Sequence, residues 1–299
     1  MAFTGEIRME KPCRIGREKE MEGAAQGIVI VVAGAAAALL LGMPQAALST
    51  HAVNAPLLPD LIVKEPERLS VLKIQNKLRL RFDNEVGNAH TGPFELVAES
   101  GESDCDGDST IATGERKVSQ RVYTDANGNG FFERGIDTVY ADTPAGCVVY
   151  HDEPTHHHAH YSDFASYSLV QLSGSATGAG SSKVTFCIAD VWRFRGSLDG
   201  SPGSRYYSSC SGLTQGLSVG WSDEYPYTTS GQYIELDPGG TYIGDGDYCL
   251  VSIADPQGLV SETNETNNAA SVQMHLSRRG KKVQAFPGTS CGSIPAESW

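Results

Sequence analysis

Residues 78–82 read Leu-Arg-Leu-Arg-Phe, and this alternation of apolar and charged side chains is typical of a β-strand with one buried face. We therefore expect Leu78, Leu80 and Phe82 to face a core, while Arg79 and Arg81 face water. Short apolar or alternating runs recur along the chain, and clusters of Gly, Pro, Asn and Asp separate them. The other runs are residues 60–63, 94–98, 118–123, 184–188, 217–221, 232–236, 248–253 and 270–276.

The composition favours strands over helices. The 299 residues include 33 glycines, and only 20% of residues are charged, which is typical of many short strands joined by turns. Outside the N-terminal segment, no window keeps apolar residues at helical spacing for more than two turns. The sequence therefore predicts an all-β protein, an antiparallel β-sandwich with long loops. Residues 103–116 and 191–207 are two of these loops.

The N-terminal segment is organised differently from the rest of the chain. Five basic residues precede the apolar stretch 28–41, and small residues follow it, which is the order of an export signal. The stretch is short for a bilayer span of about 20 residues, so a cleaved signal is favoured over a membrane anchor through residues 27–43. We expect a secreted or cell-surface protein in three parts. These are a signal peptide or membrane anchor (1–55), a β-sandwich domain (56–277) and a C-terminal tail (278–299).

Cysteine content and net charge indicate the compartment of the protein and the partners it is not expected to bind. Six cysteines follow Cys13, and an even number in an exported chain favours disulfide bonds, although the sequence does not choose their connectivity. The formal net charge is −13, and beyond the N-terminal segment basic residues cluster only in the short stretch 278–282, at the start of the tail. Nucleic acid is therefore not an expected partner, because phosphate binding needs a clustered positive field.

A histidine run carries the main candidate for chemistry. Residues 156–160 read His-His-His-Ala-His, and alternate residues of a strand share a face, so His156, His158 and His160 should point one way and His157 the other. Same-face positions of an extended strand lie about 6.8 Å apart, so three rings reach one ion only if the strand bends. Neutral imidazoles suit zinc, copper, iron or nickel, and the affinity order peaks at copper. We predict a copper site here; a solvated histidine-rich tract is the alternative.

The histidine run also carries a family resemblance. Residues 156–169, HHHAHYSDFASYSL, closely resemble the H-x-H-x-H copper-binding segment of lysyl oxidases, the bacterial members above all. Further pieces that resemble this family follow in the same order between residues 57 and 276, and their joint order supports the resemblance. They are residues 60–63 (DLIV), 78–96 (LRLRFDNEVGNAHTGPFEL), 186–187 (FC), 215–225 (QGLSVGWSDEY) and 248–268.

The resemblance implies a copper-dependent oxidase of primary amines, peptidyl-lysine or similar, that uses molecular oxygen and yields aldehyde, ammonia and hydrogen peroxide. In lysyl oxidases, copper converts a tyrosine to a quinone, to which a lysine side chain adds to give lysine tyrosylquinone. Tyr225 matches this tyrosine, so it is the candidate catalytic and cofactor residue. Asp163 and Asp223 lie near the same motifs and could act as bases, although loop carboxylates are usually solvated.

The chain departs from the family at the lysine. In animal members the lysine lies a few residues before a cysteine that matches Cys210, but here the preceding residues read SRYYSS. Arg205 cannot replace it, because its guanidinium stays protonated. Lys183 or Lys281 would serve only if the fold brings it to Tyr225; otherwise a simpler tyrosine-derived quinone is expected.

Two other functions are therefore open. One is a non-catalytic exported β-sandwich protein that binds copper and calcium, since the lysine partner of the quinone is absent. The other is a zinc-dependent hydrolase, because three histidines with an open position are typical of catalytic zinc.

Two calcium sites are candidates. The resemblance implies one with six ligands, because calcium takes hard oxygen donors and lysyl oxidases have matching residues. These are Asp60, the Leu61 carbonyl, Glu262, Asn264, Asn267 and Asn268. The family has Asp at the position of Asn264, and a polar turn is the alternative. Residues 125–130, DANGNG, follow the first half of a calcium loop and equally fit an Asn-Gly turn.

Overall fold

The computed structural model describes residues 52–153, 156–172, 176–180, 185–210, 213–289 and 291–292. Of the expected signal or anchor segment 1–55, all but the last four residues lie outside this part. Within it the chain forms sixteen β-strands and one 3₁₀ turn, Pro238–Gly240, and contains no α-helix. No helix among these residues has the length and hydropathy needed to cross a membrane.

All strand pairs are antiparallel. The predicted all-β class is confirmed. The strands are β1 Pro56–Leu57, β2 Leu61–Val63, β3 Glu67–Ile74, β4 Lys77–Asn88, β5 Phe94–Ala98, β6 Arg116–Thr124, β7 Thr138–Glu153, β8 His156–Tyr161, β9 Ala165–Gln171, β10 Ala176–Gly180, β11 Thr214–Leu217, β12 Ser222–Tyr225, β13 Ile234–Glu235, β14 Gly246–Ala254, β15 Ala269–Ser277 and β16 Lys282–Phe286.

The strands form three sheets around a shared core. One has the order β11-β5-β6-β7-β8, with β1 on β6; a second has the order β10-β9-β14-β15-β16; the third is built on β4, which pairs with β2, β3, β12 and β13. Leu80 and Phe82 of β4 pack with Phe94 of β5, Leu250 of β14 and Val272 of β15, all fully buried. Each such side chain contributes about 1.5 to 3 kcal/mol when it leaves water. The core thus holds all three sheets together.

The two arginines of the opening alternation do not face open water, contrary to the sequence-based expectation. Both are half-buried, whereas Leu78 packs against the core as expected. The Arg79 guanidinium carbon lies 4.0 Å from the centroid of the Tyr233 ring, and Arg81 donates a hydrogen bond to the Thr229 carbonyl. The segment between β12 and β13 covers this face of β4, which local alternation cannot reveal.

Several predicted runs differ from the observed strands. Phe186 forms only an isolated bridge within 184–188, and run 217–221 is split by a turn in which the Trp221 N–H donates to the Ser218 carbonyl at 3.0 Å. The long strand β7 was not predicted, because Pro144 interrupts its sequence pattern. The register of β7 against β6 shifts at this point, which is a β-bulge that accommodates the proline.

Three disulfides join parts of the chain that are distant in sequence, which confirms the expected use of the cysteines. They are Cys105–Cys147, Cys187–Cys210 and Cys249–Cys291. The first ties the loop before β6 to β7, and the last ties the segment after β16 to β14.

Candidate metal centre

The histidine run forms β8, which pairs with β7 in a hairpin. The register places His158 opposite His151 and His160 opposite Val149. Directly opposed residues of an antiparallel pair share a face, so His151, His158 and His160 lie on one face of the hairpin. His157 lies on the other face, where it is exposed and its Nδ1 is 2.8 Å from Asp152 Oδ1.

Two of the three predicted ligand rings converge. The Nε2 atoms of His158 and His160 are 2.9 Å apart, and their ring centroids are 4.7 Å apart, well under the spacing of same-face residues in a flat strand. Two nitrogens that bind one ion at about 2.0 Å lie roughly 3 Å apart, so this pair fits a shared transition-metal ion. Only 2% of the His160 surface is exposed, which shields the pair from water on one side.

The third predicted ligand, His156, is placed only by its backbone, which pairs with Glu153; its side chain lies outside the described residues. A fourth histidine, His151, was missed by reasoning on the run alone. Its ring centroid lies 4.4 Å from that of His160. Only the strand register brings His151 here, so the sequence signal was no more than its closeness to the run.

Residues 185–187 connect the histidines to the tyrosine candidate. Thr185 Oγ1 lies 3.3 Å from His160 Nδ1, the nitrogen opposite the one that faces His158. Phe186 exchanges two backbone hydrogen bonds with Tyr161, at 2.7 and 2.9 Å. Cys187 is bonded to Cys210, whose carbonyl accepts the Ala159 N–H between the two histidines. A metal-ligating histidine is commonly oriented by a partner on its second nitrogen, and Thr185 occupies that place.

Tyr225 lies at the other end of the same segment. Its phenol donates to the Cys187 carbonyl at 2.6 Å, and its ring packs edge-on against Phe186 with 4.6 Å between centroids. Burial raises the pKa of Tyr225 well above its ordinary value, and the charge of Asp223 raises it further. The phenol is therefore neutral at physiological pH and held in one orientation.

The two candidate bases differ in surroundings. Asp223 was expected in a solvated loop, but it lies in β12 and is only 4% exposed. Asp223 and Tyr225 are alternate residues of one strand, so their side chains share a face. Asp163 is half-buried in the turn after β8, with a positive φ of 58°. The carboxylate beside the tyrosine is thus Asp223.

Of the two candidate lysine partners of Tyr225, the structure describes Lys281 but not Lys183. The stretch just before Cys210, which includes Arg205, has no lysine. Lys281 is exposed in the turn between β15 and β16. Lys183 lies outside the described residues, two positions before Thr185.

The predicted calcium residues form a second cluster. The Glu262 carboxylate accepts the Leu61 N–H and, at 2.6 Å, the amide of Asn268; Asn267 donates to Asp60 at 2.9 Å. Burial raises the pKa of Glu262 to about 8, with the charges of Glu265 and Asp255 acting in the same direction. One ligand oxygen from each of these three acids lies within 4.8 Å of the others.

Two further oxygens in this cluster fit a cation. The side-chain carbonyls of Asn267 and Asn268 are buried without a hydrogen-bond donor. Oxygens of this kind, next to repelling carboxylates, are what a calcium ion would satisfy. Asn264 stands apart, because it is exposed and its oxygen accepts from Thr266 at 2.7 Å. Asp255 and Glu265 were not expected from the sequence.

The Asn-Gly segment forms a turn stabilised by its own side chains. The two oxygens of Asp125 accept the N–H groups of Asn129 and Gly130, at 3.0 and 2.7 Å. The amides of Asn127 and Asn129 both donate to Glu133, at 2.7 and 2.8 Å. The segment therefore forms a turn in this structure, and calcium binding at it stays a prediction.

Comparisons with known proteins agree with the resemblance. A family model described as lysyl oxidase matches residues 132–285. Human lysyl oxidase homolog 1 is 32% identical over 125 residues, which are 41% of this chain and 20% of the human protein. Chicken protein-lysine 6-oxidase is 33% identical over 114 residues, which are 38% of this chain and 24% of the chicken protein. The chain thus spans a quarter or less of the length of these relatives.

Proposed function

Because the chain belongs to the lysyl oxidase family, we propose that it is an exported copper-dependent oxidase of primary amines with Tyr225 as the precursor of its quinone. One observation carries the proposal. Residues 185–187 contact His160 at one end and Tyr225 at the other, so one short segment connects the candidate ligand to the candidate quinone tyrosine. The three disulfides support export, because such bonds persist in oxidising compartments.

In this proposal His156, His158 and His160 hold copper, and imidazole donors fit that ion. When bound, copper and the Tyr225-derived quinone supply redox chemistry: the amine, oxygen and water give aldehyde, ammonia and hydrogen peroxide. Thr185 orients His160, and the Cys187 carbonyl and the Phe186 ring hold Tyr225 in place. The protein's own contribution is this positioning and the electrostatics around it.

We assign the base to Asp223. Its carboxylate shares a face with Tyr225, and its charge raises the pKa of that phenol, so it lies close to the reacting ring. There it would attract a cationic amine and then hold the proton that the substrate carbon loses. Peptidyl-lysine or similar primary amines are the proposed substrates, and calcium at the Glu262 cluster would support the fold.

The test is peroxide release on adding a primary amine to copper-loaded protein, together with a quinone stain. The wild type should give both, and Tyr225→Phe should give neither. Tyr140→Phe is the matched control, since Tyr140 is exposed. Copper-loaded protein that binds the metal but gives no stain and no peroxide would contradict the oxidase proposal.

That contrary outcome would support the second candidate, a non-catalytic copper- and calcium-binding protein. The missing lysine before Cys210 favours it. Peptide mass spectrometry decides the cofactor type. A crosslink between Lys183 and Tyr225 that is lost in Lys183→Arg indicates lysine tyrosylquinone, whereas a stained Tyr225 peptide without a crosslink indicates a simpler quinone.

A further inference from the structure

The loop between β5 and β6 contains a twelve-residue pattern that the oxidase proposal does not use. Residues 104–115 read Asp-Cys-Asp-Gly-Asp-Ser-Thr-Ile-Ala-Thr-Gly-Glu. Calcium loops of the EF-hand type have carboxylates at positions 1, 3 and 5 and a glutamate at position 12. Asp104, Asp106, Asp108 and Glu115 occupy those positions, and the single departure is Ser109 where Gly is usual. A spacing this specific is far more informative than a run of acidic residues.

The backbone of the loop follows the same pattern. Ser109, at position 6, has a φ of 69°, the left-handed conformation for which glycine is usual there. Asp104, at position 1, accepts the N–H groups of Gly107 and Ser109 at 2.7 and 3.0 Å, which folds the loop over its first carboxylate. One carboxylate oxygen from each of the three aspartates lies within 4.8 Å of the others.

Glu115 provides an observation separate from the aspartates. It is only 2% exposed, and its carboxylate accepts the N–H groups of Cys105 and Ala112, both at 2.7 Å. These two bonds hold it across the loop, against positions 2 and 9, whereas the three aspartates form the cluster within 4.8 Å. Among the described residues, no lysine or arginine forms an ion pair with Glu115 or with the three aspartates. Backbone donors thus hold Glu115 in place, and a divalent ion would balance the four negative charges that these carboxylates bring to one loop.

We propose that residues 104–115 bind one calcium ion through Asp104, Asp106, Asp108, Glu115 and the carbonyl of Thr110. Calcium takes six to eight oxygens, and these groups with water complete such a shell. The loop joins two strands instead of two helices, and Cys105 ties it to β7 through Cys147. It precedes residues 132–285 matched by the family model and is separate from the Glu262 cluster. We expect a dissociation constant of about 10⁻⁵ to 10⁻³ M, since the site lacks helices and the usual glycine.

The experiment is hydrogen–deuterium exchange on the full chain, first stripped with a chelator and then given roughly 5 mM calcium chloride, above the expected dissociation constant. Calcium should slow exchange in peptides covering 104–115 by about 10-fold or more, because the bound loop opens less often. Asp106→Asn with Asp108→Asn should abolish this protection. Asp199→Asn with Asp247→Asn is the matched control, because it removes two exposed carboxylates elsewhere and should keep it.

The readout separates this site from the Glu262 cluster, because the two fall in different peptides. Unchanged exchange across 104–115 in calcium-loaded wild type overturns the proposal, and so does equal protection in the loop variant. Protection confined to peptides around residues 255–268 likewise overturns it. Exchange in the wild-type protein is enough to decide whether residues 104–115 bind calcium, so the test still holds if the loop variant fails to fold.

Discussion

At the scale of single residues, the pair formed by His158 and His160 is the most informative contact in the molecule. Two neutral imidazoles with Nε2 atoms 2.9 Å apart share either a proton or an ion. The partner of His160 on its other nitrogen, Thr185, holds the ring in the orientation that makes this contact. Affinity for the metal should therefore depend on both the ligand and the residue that orients it.

The ligand prediction uses the two faces of β8. His160→Ala should lower bound copper from about one ion per chain to about one tenth or less, because an imidazole donor is lost from a small donor set. His157→Ala should leave the copper content unchanged, since that ring is exposed on the opposite face beside Asp152. Elemental analysis after dialysis against a weak chelator measures both. Equal copper loss in the two variants would contradict the assignment.

The orienting residue gives a second prediction. Thr185→Val should weaken copper binding by about 10-fold, because His160 loses its partner on Nδ1 while the shape of the side chain is kept. Thr185→Ser retains the hydroxyl and should bind copper like the wild type. A competition titration with a chelator of known affinity measures the change. If Val and Ser variants bind equally, the hydroxyl does not orient the ring.

At the scale of elements, an irregular segment is attached to β8 from two sides. The Gln215 side chain accepts the Ile188 N–H at 2.9 Å and donates to the Ala159 carbonyl at 2.9 Å. The Cys187–Cys210 disulfide adds a covalent tie at the same place. Residues 185–188 make few strand-pairing hydrogen bonds of their own. The Gln215 bonds and the disulfide therefore position the segment that contacts both His160 and Tyr225.

Gln215→Leu should destabilise this arrangement. The buried Ile188 N–H and Ala159 carbonyl would lose their partners, which costs about 1 to 3 kcal/mol for an unsatisfied buried group. The free energy of unfolding in urea measures the loss. Gln284→Leu, at an exposed position of β16, is the control and should change stability by about 0.5 kcal/mol or less. A similar change in both variants would show that the two bonds do not stabilise the fold.

At the scale of the whole molecule, the tyrosines link stability to pH. Burial raises the pKa of Tyr123 to about 12, and it also raises the pKa values of Tyr167, Tyr207, Tyr242 and Tyr248. A tyrosine in the unfolded chain has a pKa of about 10. Above that pH the unfolded chain releases protons that the folded chain retains, so ionisation favours unfolding.

Stability should therefore be constant with respect to these groups below about pH 10 and fall as the pH rises from there towards 12. Urea denaturation between pH 9 and pH 11.5, roughly the window in which phenols ionise, measures the slope. Phenolate absorbance provides the check, because the buried tyrosines should ionise only as the protein unfolds. Full ionisation near pH 10 in protein that stays folded would contradict the prediction.

The sequence by itself determined features that depend on neighbours along the chain. Alternation at Leu78, Leu80 and Phe82 indicated a strand with a buried face, and the spacing of His157, His158 and His160 indicated which rings share a face. Both follow from the two-residue period of a strand, which every strand obeys wherever it lies. The motif order also indicated the family, because it is a property of the chain alone.

Only the tertiary structure decided which distant residues meet. It covered Arg79 and Arg81 with the segment after β12, buried Asp223 beside Tyr225, brought His151 across to His160 and paired the cysteines. Each of these contacts depends on sheet register and on which strands become neighbours. Register depends on turn geometry as well as on the hydrophobic pattern. The choice of neighbouring strands depends on the packing of the whole core, which no local sequence pattern contains.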